Sequence, residues 1–281
     1  MDKNKTFHFI KIIRNHIISL KLKPISKSIM ISLMIITKNK HVINLASKIS
    51  EYVKLQYMDL LFYSKFIKPG DLCFDIGSNI GNKTETFLRL GSNVISVEPQ
   101  SFCINKLNKR FLGISNVEIL NLAVGKSNCR KKMYICDESE VMATISNKFI
   151  NLKKHTSYHW SDYEIVKVIT LDELIKLYGI PKLCKIDVEG YELEVIHGLS
   201  NKIEFISFEA HLDFIKEIKE IFELLKMRFG DFEVNFKLGE CGKFYYNSWK
   251  RPDVLINILK SIKNPDIYLD LMVKFDMESE R

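Results

Sequence analysis

Short apolar runs alternate with amphipathic stretches from about residue 66 onward, and this alternation limits the possible folds more than any other feature. Such a pattern is typical of βα units that build a parallel sheet. Strands are predicted at 72–76, 93–97, 117–122, 183–188 and 205–209. Helices, recognised by apolar spacing of about 3.6 residues, are predicted at 82–90, 100–111, 171–178, 191–197 and 213–228. We therefore expect a doubly wound α/β sheet.

Two further β-rich stretches follow Gly230. They span residues 232–238 and 244–249, and Gly239 and Gly242 separate them. Glycine-containing turns between β-rich runs favour a hairpin. We expect this hairpin to close one edge of the sheet.

Between residues 126 and 165 the periodic pattern breaks down into polar, Lys-rich text. An insertion of this size in a compact domain is usually functional or mobile, and we interpret it as lying on the substrate side. Trp160, Tyr158 and Tyr163 could stack on a sugar ring or could form the insertion's own core. The sequence leaves both alternatives open.

The first 50 residues carry the positive charge of the chain. They hold ten Lys or Arg against the single acid Asp2, whereas the whole chain has a net charge of only +8. We interpret residues 1–55 as a basic helical appendage on a single α/β domain of residues 56–281. Attachment of residues 1–50 to anionic lipid or to nucleic acid is the alternative.

Apolar runs in this sequence stay well below the roughly 20 residues of a membrane-spanning helix. The six cysteines show neither a C-x-x-C pair nor regular spacing, which is typical of reduced thiols and not of a disulfide framework or zinc site. We therefore expect a cytoplasmic protein, either soluble or attached to the membrane periphery.

The most informative motif runs from Asp75 through Gly77 and Asn79 to Gly81, between a predicted strand and a predicted helix. Its glycines allow a sharp turn and close approach of the backbone to a ligand. In the dinucleotide fingerprint a glycine stands where this chain has Asp75, and a carboxylate there repels a pyrophosphate. The loop instead suits a cationic ligand, such as the ammonium and sulfonium of S-adenosylmethionine.

Glu98 ends the next predicted strand, 21 residues after Gly77. An acid at this point can accept hydrogen bonds from both ribose hydroxyls of a nucleoside. Helix capping is the structural alternative for Asp75 and Glu98. Together the loop and the acid favour an adenosyl ligand.

A second group of acids, Asp187 and Glu189, lies at the carboxyl end of the predicted strand 183–188, at the edge where open α/β sheets bind ligands. These carboxylates could orient an acceptor hydroxyl, hold the cofactor ammonium, or do both. A solvated helix start is the structural alternative.

His211 follows the next predicted strand at the same edge. Methyl transfer to an alcohol needs a base to take the hydroxyl proton, and His211 is the best-placed candidate, with Asp187 or Glu189 second. His155 and His159 have the spacing of a shared helical face, but no third ligand accompanies them, so we predict no metal site.

Two stretches resemble the FkbM family of S-adenosylmethionine-dependent methyltransferases. They are Phe74 to Gly81 with Val97-Glu98-Pro99, and Lys185 to Val195, whose Asp-Val-Glu-Gly-Tyr-Glu is the specific part. The resemblance spans about residues 66–212. It implies a class I methyltransferase fold with seven strands and an antiparallel edge. It also implies O-methylation, commonly of sugars in glycans, glycolipids or secondary metabolites.

The resemblance also implies roles for individual residues. Asp75, Gly77, Asn79 and Gly81 are expected to line the methionine part of the cofactor, Glu98 to bind the ribose, and Ala123 to contact the adenine through its backbone. The acceptor is expected to be a small molecule or a glycan.

Three rival functions are weighed against this one. A nucleic-acid methyltransferase would explain the basic N-terminal segment, but an acidic pocket repels phosphates, and we expect no nucleic-acid partner. An NAD-dependent oxidoreductase conflicts with Asp75 in the phosphate position. A nucleoside-binding module without catalysis would bind the cofactor without turnover.

Overall fold

The computed structural model describes residues 52, 54–239, 242–262 and 268–277. Two compact units make up the chain, residues 1–57 and residues 58–281. Residues 54–57 of the first unit are helical. The predicted basic appendage, and the lipid or nucleic-acid contact proposed for residues 1–50, lie outside the described residues.

The second unit alternates strands and helices. Its strands are β1 (Leu72–Ile76), β2 (Asn93–Val97), β3 (Val117–Leu120), β4 (Ala123–Val124), β5 (Cys129–Ile135), β6 (Asp162–Ile169), β7 (Leu183–Ile186), β8 (Phe205–His211), β9 (Phe232–Leu238) and β10 (Tyr268–Phe275). Its α-helices from residue 82 onward are α1 (Asn82–Arg89), α2 (Ser101–Arg110), α3 (Asn147–Lys153), α4 (Leu171–Tyr178), α5 (Glu192–His197), α6 (Ile215–Phe229) and α7 (Pro252–Ser261). The ten elements predicted for residues 72–228 are confirmed, with ends that differ by no more than two residues.

Seven strands form the central sheet in the order β3-β2-β1-β7-β8-β10-β9. Strands β3, β2, β1, β7 and β8 are parallel neighbours, and β10 runs antiparallel to both β8 and β9. The predicted doubly wound sheet with an antiparallel edge is confirmed.

Helices cover both faces of this sheet, as expected for parallel strands whose side chains are apolar on both sides. Phe74 and Ile76 of β1 belong to the core cluster that includes apolar side chains of α4, α5, α6 and α7. Cys73 packs on the opposite face with Phe62 of the helical residues 58–63 and Phe87 of α1. Across the described residues, no helix combines the length and the apolar character needed to span a bilayer.

The region 126–165 is more regular than its sequence suggests. It contributes β5, α3 and the first half of β6, and a second sheet forms in the order β4-β6-β5. Met133 and Val166 are buried on one side of this sheet, whereas Arg130, Lys132 and Lys167 are exposed on the other. The strands escaped prediction because their charged outward positions mask the short apolar alternation.

The predicted hairpin at 232–249 is wrong. Residues 244–249 are not a strand, and the antiparallel neighbour of β9 is β10. Backbone hydrogen bonds join segment 244–250 to β9 at two points. The Tyr245 amide donates to the Phe236 carbonyl, and Lys250 forms an isolated β-bridge with Val234. Between these points the Asn235 side chain replaces a backbone ladder by donating to the carbonyl of Tyr246 at 2.9 Å.

Strand β10 escaped prediction because a buried charge interrupts its apolar run. Asp270 pairs with Lys237 on the neighbouring strand at 2.8 Å. Both side chains are shielded from solvent. Strand prediction from hydrophobic patterns assigns charged residues to exposed positions. It therefore fails for a charge pair that is buried between two strands.

Replacing Asn235 with Ala tests this account of the β9 edge. The Tyr246 carbonyl and the Phe236 amide would lose a buried partner, so we expect a loss of about 1–3 kcal/mol in the free energy of unfolding, measured by urea denaturation. The exposed Asn257→Ala on α7 is the control and should change stability by less than about 0.5 kcal/mol. Equal stability of the two variants would contradict the bridging role of Asn235.

Candidate active site

A cavity opens where the carboxyl ends of β1 and β7 meet, at the point where the strand order reverses. Open α/β sheets bind ligands at this topological switch point. Six of the residues predicted from the sequence line the cavity: Gly77, Asn79, Glu98, Ala123, Asp187 and Glu189. Asp75, Gly81 and His211 lie next to it in the same group of loops and strand ends.

The glycine loop rests directly on the end of β7. Gly77 has φ of 76°, and a Cβ added to it would stand 1.8 Å from the carbonyl oxygen of Asp187. Gly81 precedes α1 with φ of 85°, and its Cβ would stand 2.5 Å from the Phe111 ring. Gly77 thus keeps the loop against the acidic strand end, whereas Gly81 serves the packing of α1 on α2.

Asp75 lies beneath the loop and is almost fully buried. Its carboxylate accepts a hydrogen bond from the Thr84 hydroxyl of α1 at 2.5 Å. Burial raises the pKa of Asp75, and the positive charge of Lys185 opposes that rise. The Asp75 side chain therefore ties β1 to α1 directly below the cavity.

Glu98 holds the loop from the β2 side. Its Oε2 accepts from the amide of Asn79 and its Oε1 from the amide of Gln100, each at 2.8 Å. Burial raises the pKa of Glu98 to about 7, against the lowering effect of these amides. Each carboxylate oxygen has a second lone pair, so both can still accept from a ribose diol.

The start of β4 forms the side of the cavity where the sequence predicts contact with the adenine. Ala123 is buried there and lines the cavity. The nearby Asn121 side chain donates to the carbonyl oxygens of Glu98 and Pro99 at 3.2 and 2.9 Å. Asn121 thus fixes the Glu98 loop, a role that the sequence did not reveal.

Asp187 is paired with a buried lysine. Its Oδ2 lies 2.6 Å from Nζ of Lys185 on β7, and the Asp187 amide donates to the Ile76 carbonyl. Although burial raises the pKa of Asp187, Lys185 outweighs burial and the pKa is lowered. Asp187 is therefore ionised at neutral pH and already neutralised by its partner.

Glu189 occupies a tight loop between β7 and α5. It has φ of 51°, and its carbonyl accepts from the Thr144 hydroxyl at 2.7 Å. Glu192 closes the loop by accepting from the amides of Val188 and Gly190 at 3.1 and 3.3 Å. Burial, followed by the charge of Asp187, raises the pKa of Glu189 well above its ordinary value.

Glu189, Glu209 and His211 converge at the outer end of the site. One side-chain oxygen or nitrogen from each lies within 4.8 Å of the others. Burial, then the charges of Asp187 and Glu189, raises the pKa of Glu209 well above its ordinary value. Burial and the charge of Lys153 lower the pKa of His211, so its ring is neutral at pH 7.

Lys185, Glu192 and Glu209 were missed as site residues. Lys185 is hidden because a charge inside an apolar strand gives no sign of its partner. Glu192 resembles a residue of an ordinary helix start. Glu209 could have been found, because it lies two residues before His211 on β8 and alternate strand residues share a face.

The aromatic and histidine residues of the insertion make contacts of their own. His159 Nδ1 is 2.7 Å from Oε1 of Glu138, and both His155 and His159 are exposed. Trp160 donates from Nε1 to the Met142 carbonyl at 2.9 Å. Tyr163 is exposed beneath the Lys132 ammonium, 4.0 Å from its ring centroid.

A wider groove of about 1210 Å³ lies at the opposite, amino end of the strands, between α6 and α7. Its charged walls include the ion pairs of Lys182 with Glu204 and of Lys274 with Glu233. Because these charges satisfy one another and no glycine loop reaches the groove, the smaller cavity at the switch point is the candidate site.

Comparison with known proteins gives a family match. The model described as "Methyltransferase FkbM domain" matches residues 75–238. This range contains every site residue predicted from the sequence.

Individual relatives are more distant. The chain is 27% identical to "Hexuronic acid methyltransferase AglP" of Haloferax volcanii over 49% of this chain and 54% of that protein. It is 31% identical to "Probable ribosomal RNA small subunit methyltransferase A" of Methanosarcina acetivorans over 24% of this chain and 25% of that protein. The chain thus spans about half the length of the first relative and a quarter of the second.

Solved structures resemble the chain only loosely. A precorrin-6y C5,15-methyltransferase from Geobacter metallireducens covers 78% of this chain and 87% of its own, with 10% identity and a TM-score of 0.41.

The raised pKa of Glu98 predicts how binding of S-adenosylmethionine depends on pH. Ribose hydroxyls donate to the ionised carboxylate, so affinity should fall as Glu98 takes up a proton near pH 7. Between pH 8 and pH 6 we expect the dissociation constant to rise about tenfold, measured by calorimetry. Glu98→Gln should bind more weakly and lose this dependence, whereas Glu118→Gln on β3 should keep it. A flat profile in the unmodified protein would contradict the ribose role.

Proposed function

The chain belongs to the FkbM family of S-adenosylmethionine-dependent methyltransferases, and we propose that it transfers the methyl group to a hydroxyl oxygen of a sugar. One observation carries the proposal. The Gly77 loop rests on the Asp187 carbonyl, so the expected cofactor loop and the acidic acceptor loop share one cavity.

The proposed cofactor position follows from the loop. Gly77 and Asn79 expose backbone to the cavity, Glu98 accepts from the ribose, and Ala123 borders the adenine. Asp75, Asp187 and Glu189 surround the other end with carboxylates. Their oxygens can accept hydrogen bonds from the ammonium of the methionine part, which also carries a sulfonium.

The proposed reaction is a direct displacement. The acceptor oxygen attacks the methyl carbon, the carbon–sulfur bond breaks with its electron pair remaining on sulfur, and S-adenosylhomocysteine leaves. Alignment of the oxygen about 3 Å from the methyl carbon, in a cavity with little water, supplies much of the rate.

The acceptor proton needs a base. Asp187 is a weak one because Lys185 already neutralises it. His211 is neutral and has an open nitrogen, so it is the base in this proposal, and Glu189 is the second candidate.

A sugar acceptor is favoured by the Haloferax volcanii relative, which is named for hexuronic acid. RNA is the second candidate because the Methanosarcina acetivorans relative is named for ribosomal RNA. Neither Lys nor Arg is among the described residues that line the cavity, whereas binding of a polyphosphate backbone relies on such cations. We therefore place the sugar first.

The acceptor class is tested by transfer of a radiolabelled methyl group from S-adenosylmethionine. Acceptors are uronic acid oligosaccharides, neutral oligosaccharides and ribosomal RNA, and the labelled products are identified by mass spectrometry. We expect O-methyl label on a sugar. Label on RNA alone, or on no acceptor despite cofactor binding, would contradict the proposal.

His211→Ala separates catalysis from binding. We expect the single-turnover rate of methyl transfer to fall about 10²- to 10⁴-fold, because the proton acceptor is gone, while cofactor affinity stays unchanged. The control His155→Ala, at an exposed position, should transfer the methyl group at the same single-turnover rate as the unmodified protein. An unchanged rate in the His211 variant would remove His211 from the reaction.

A further inference from the structure

Glu189, Glu209 and His211 form a compact set of three ligand atoms at the acceptor end of the site. Glu209 and His211 are alternate residues of β8, whereas Glu189 reaches them from the loop after β7. The three ligand atoms lie within 4.8 Å of one another. Bonds from a metal ion to such ligands are about 2.0–2.2 Å long. Small side-chain rotations would bring all three ligand atoms to that distance from one ion.

The charges of this set are not balanced by the protein. Asp187 has Lys185 as its partner at 2.6 Å, but among the described residues neither Glu189 nor Glu209 forms an ion pair. Like charges this close and shielded from water need a cation or a proton between them. A cation bound here would take the place of that proton.

The imidazole is held without a hydrogen bond. The His211 ring packs against Phe149 at 5.8 Å and Phe214 at 6.4 Å between centroids. Within the described chain its ring nitrogens have no hydrogen-bond partner, so a lone pair is available beside the two carboxylates. Aromatic packing fixes the ring while leaving a nitrogen free to bind an ion.

The geometry points to a divalent cation site of the Mn²⁺ or Mg²⁺ type, formed by Glu189, Glu209 and His211. Two carboxylates and one imidazole occupy three positions of such an ion and leave others open for water or an acceptor oxygen. The same donors would also suit Zn²⁺, but carboxylate-rich sites favour the harder ions.

This inference rests on the proposed function and makes its acceptor step more specific. An acceptor hydroxyl bound to the cation has a lowered pKa and releases its proton to water as the oxygen attacks the methyl carbon. His211 is then a ligand and not the base. The cation also screens the carboxylates, which allows an acidic sugar to enter a site that would otherwise repel it.

The test is a titration of the full chain with Mn²⁺ alone, followed by electron paramagnetic resonance of the free ion. We expect one bound equivalent, at least tenfold weaker binding in Glu209→Gln, and unchanged binding in Glu194→Gln, whose carboxylate pairs with Lys126 at the other side of α5. Glu189→Gln replaces Glu209→Gln if the latter does not fold. Absence of Mn²⁺ binding at millimolar concentration overturns the cation site. Equal Mn²⁺ affinity in the ligand variant (Glu209→Gln or Glu189→Gln) and in the control Glu194→Gln overturns it as well.

Methyl transfer in the presence of EDTA separates this inference from the proposed function. If transfer to a sugar continues at the full rate in EDTA, the cation site is overturned and sugar methylation stands with His211 as base. Loss of transfer in EDTA and its return with Mn²⁺ supports the site. Mn²⁺ binding without transfer to any sugar supports the site and contradicts only the proposed acceptor.

Discussion

The contact between Gly77 and the carbonyl oxygen of Asp187 is the constraint on which the site depends. It brings the first turn of the fold onto the end of β7, although about 110 residues separate the two in the chain. A side chain at Gly77 would push the loops apart, because its Cβ would collide with backbone that cannot move. The proposed approach of the acceptor to the cofactor therefore requires glycine, with no Cβ, at position 77.

Charge is the second property that organises this end of the sheet. Asp75, Asp187, Glu189 and Glu209 crowd around Lys185, and several of these groups have altered pKa values for different physical reasons. The charge of Lys185 lowers the pKa of Asp187, whereas burial raises the pKa of Glu98. Burial and the neighbouring carboxylates together raise the pKa of Glu209. A site with this balance favours positively charged ligands, whether a sulfonium, an ammonium or a metal ion.

Most of the fold could be predicted because parallel strands buried on both faces read as plain apolar runs. The strand pairing at the β9 edge of the sheet could not be predicted. Asp270 and Lys237 form a buried ion pair between β10 and β9, and the Asn235 side chain binds an irregular segment where a strand was expected. Gly77, Asn79, Glu98, Asp187 and Glu189 follow from local motifs. Lys185, Glu192 and Glu209 act through partners that folding brings close, and no local motif encodes such a partnership.

Equilibrium binding of S-adenosylmethionine and of NAD, measured in one calorimeter on the same protein, tests the central claim most directly. The acidic loop predicts micromolar binding of S-adenosylmethionine and no binding of NAD, because Asp75 stands where a pyrophosphate would need a glycine. Binding of NAD, or failure to bind S-adenosylmethionine, would contradict the interpretation of the loop, and the proposed roles of the acceptor residues would fall with it.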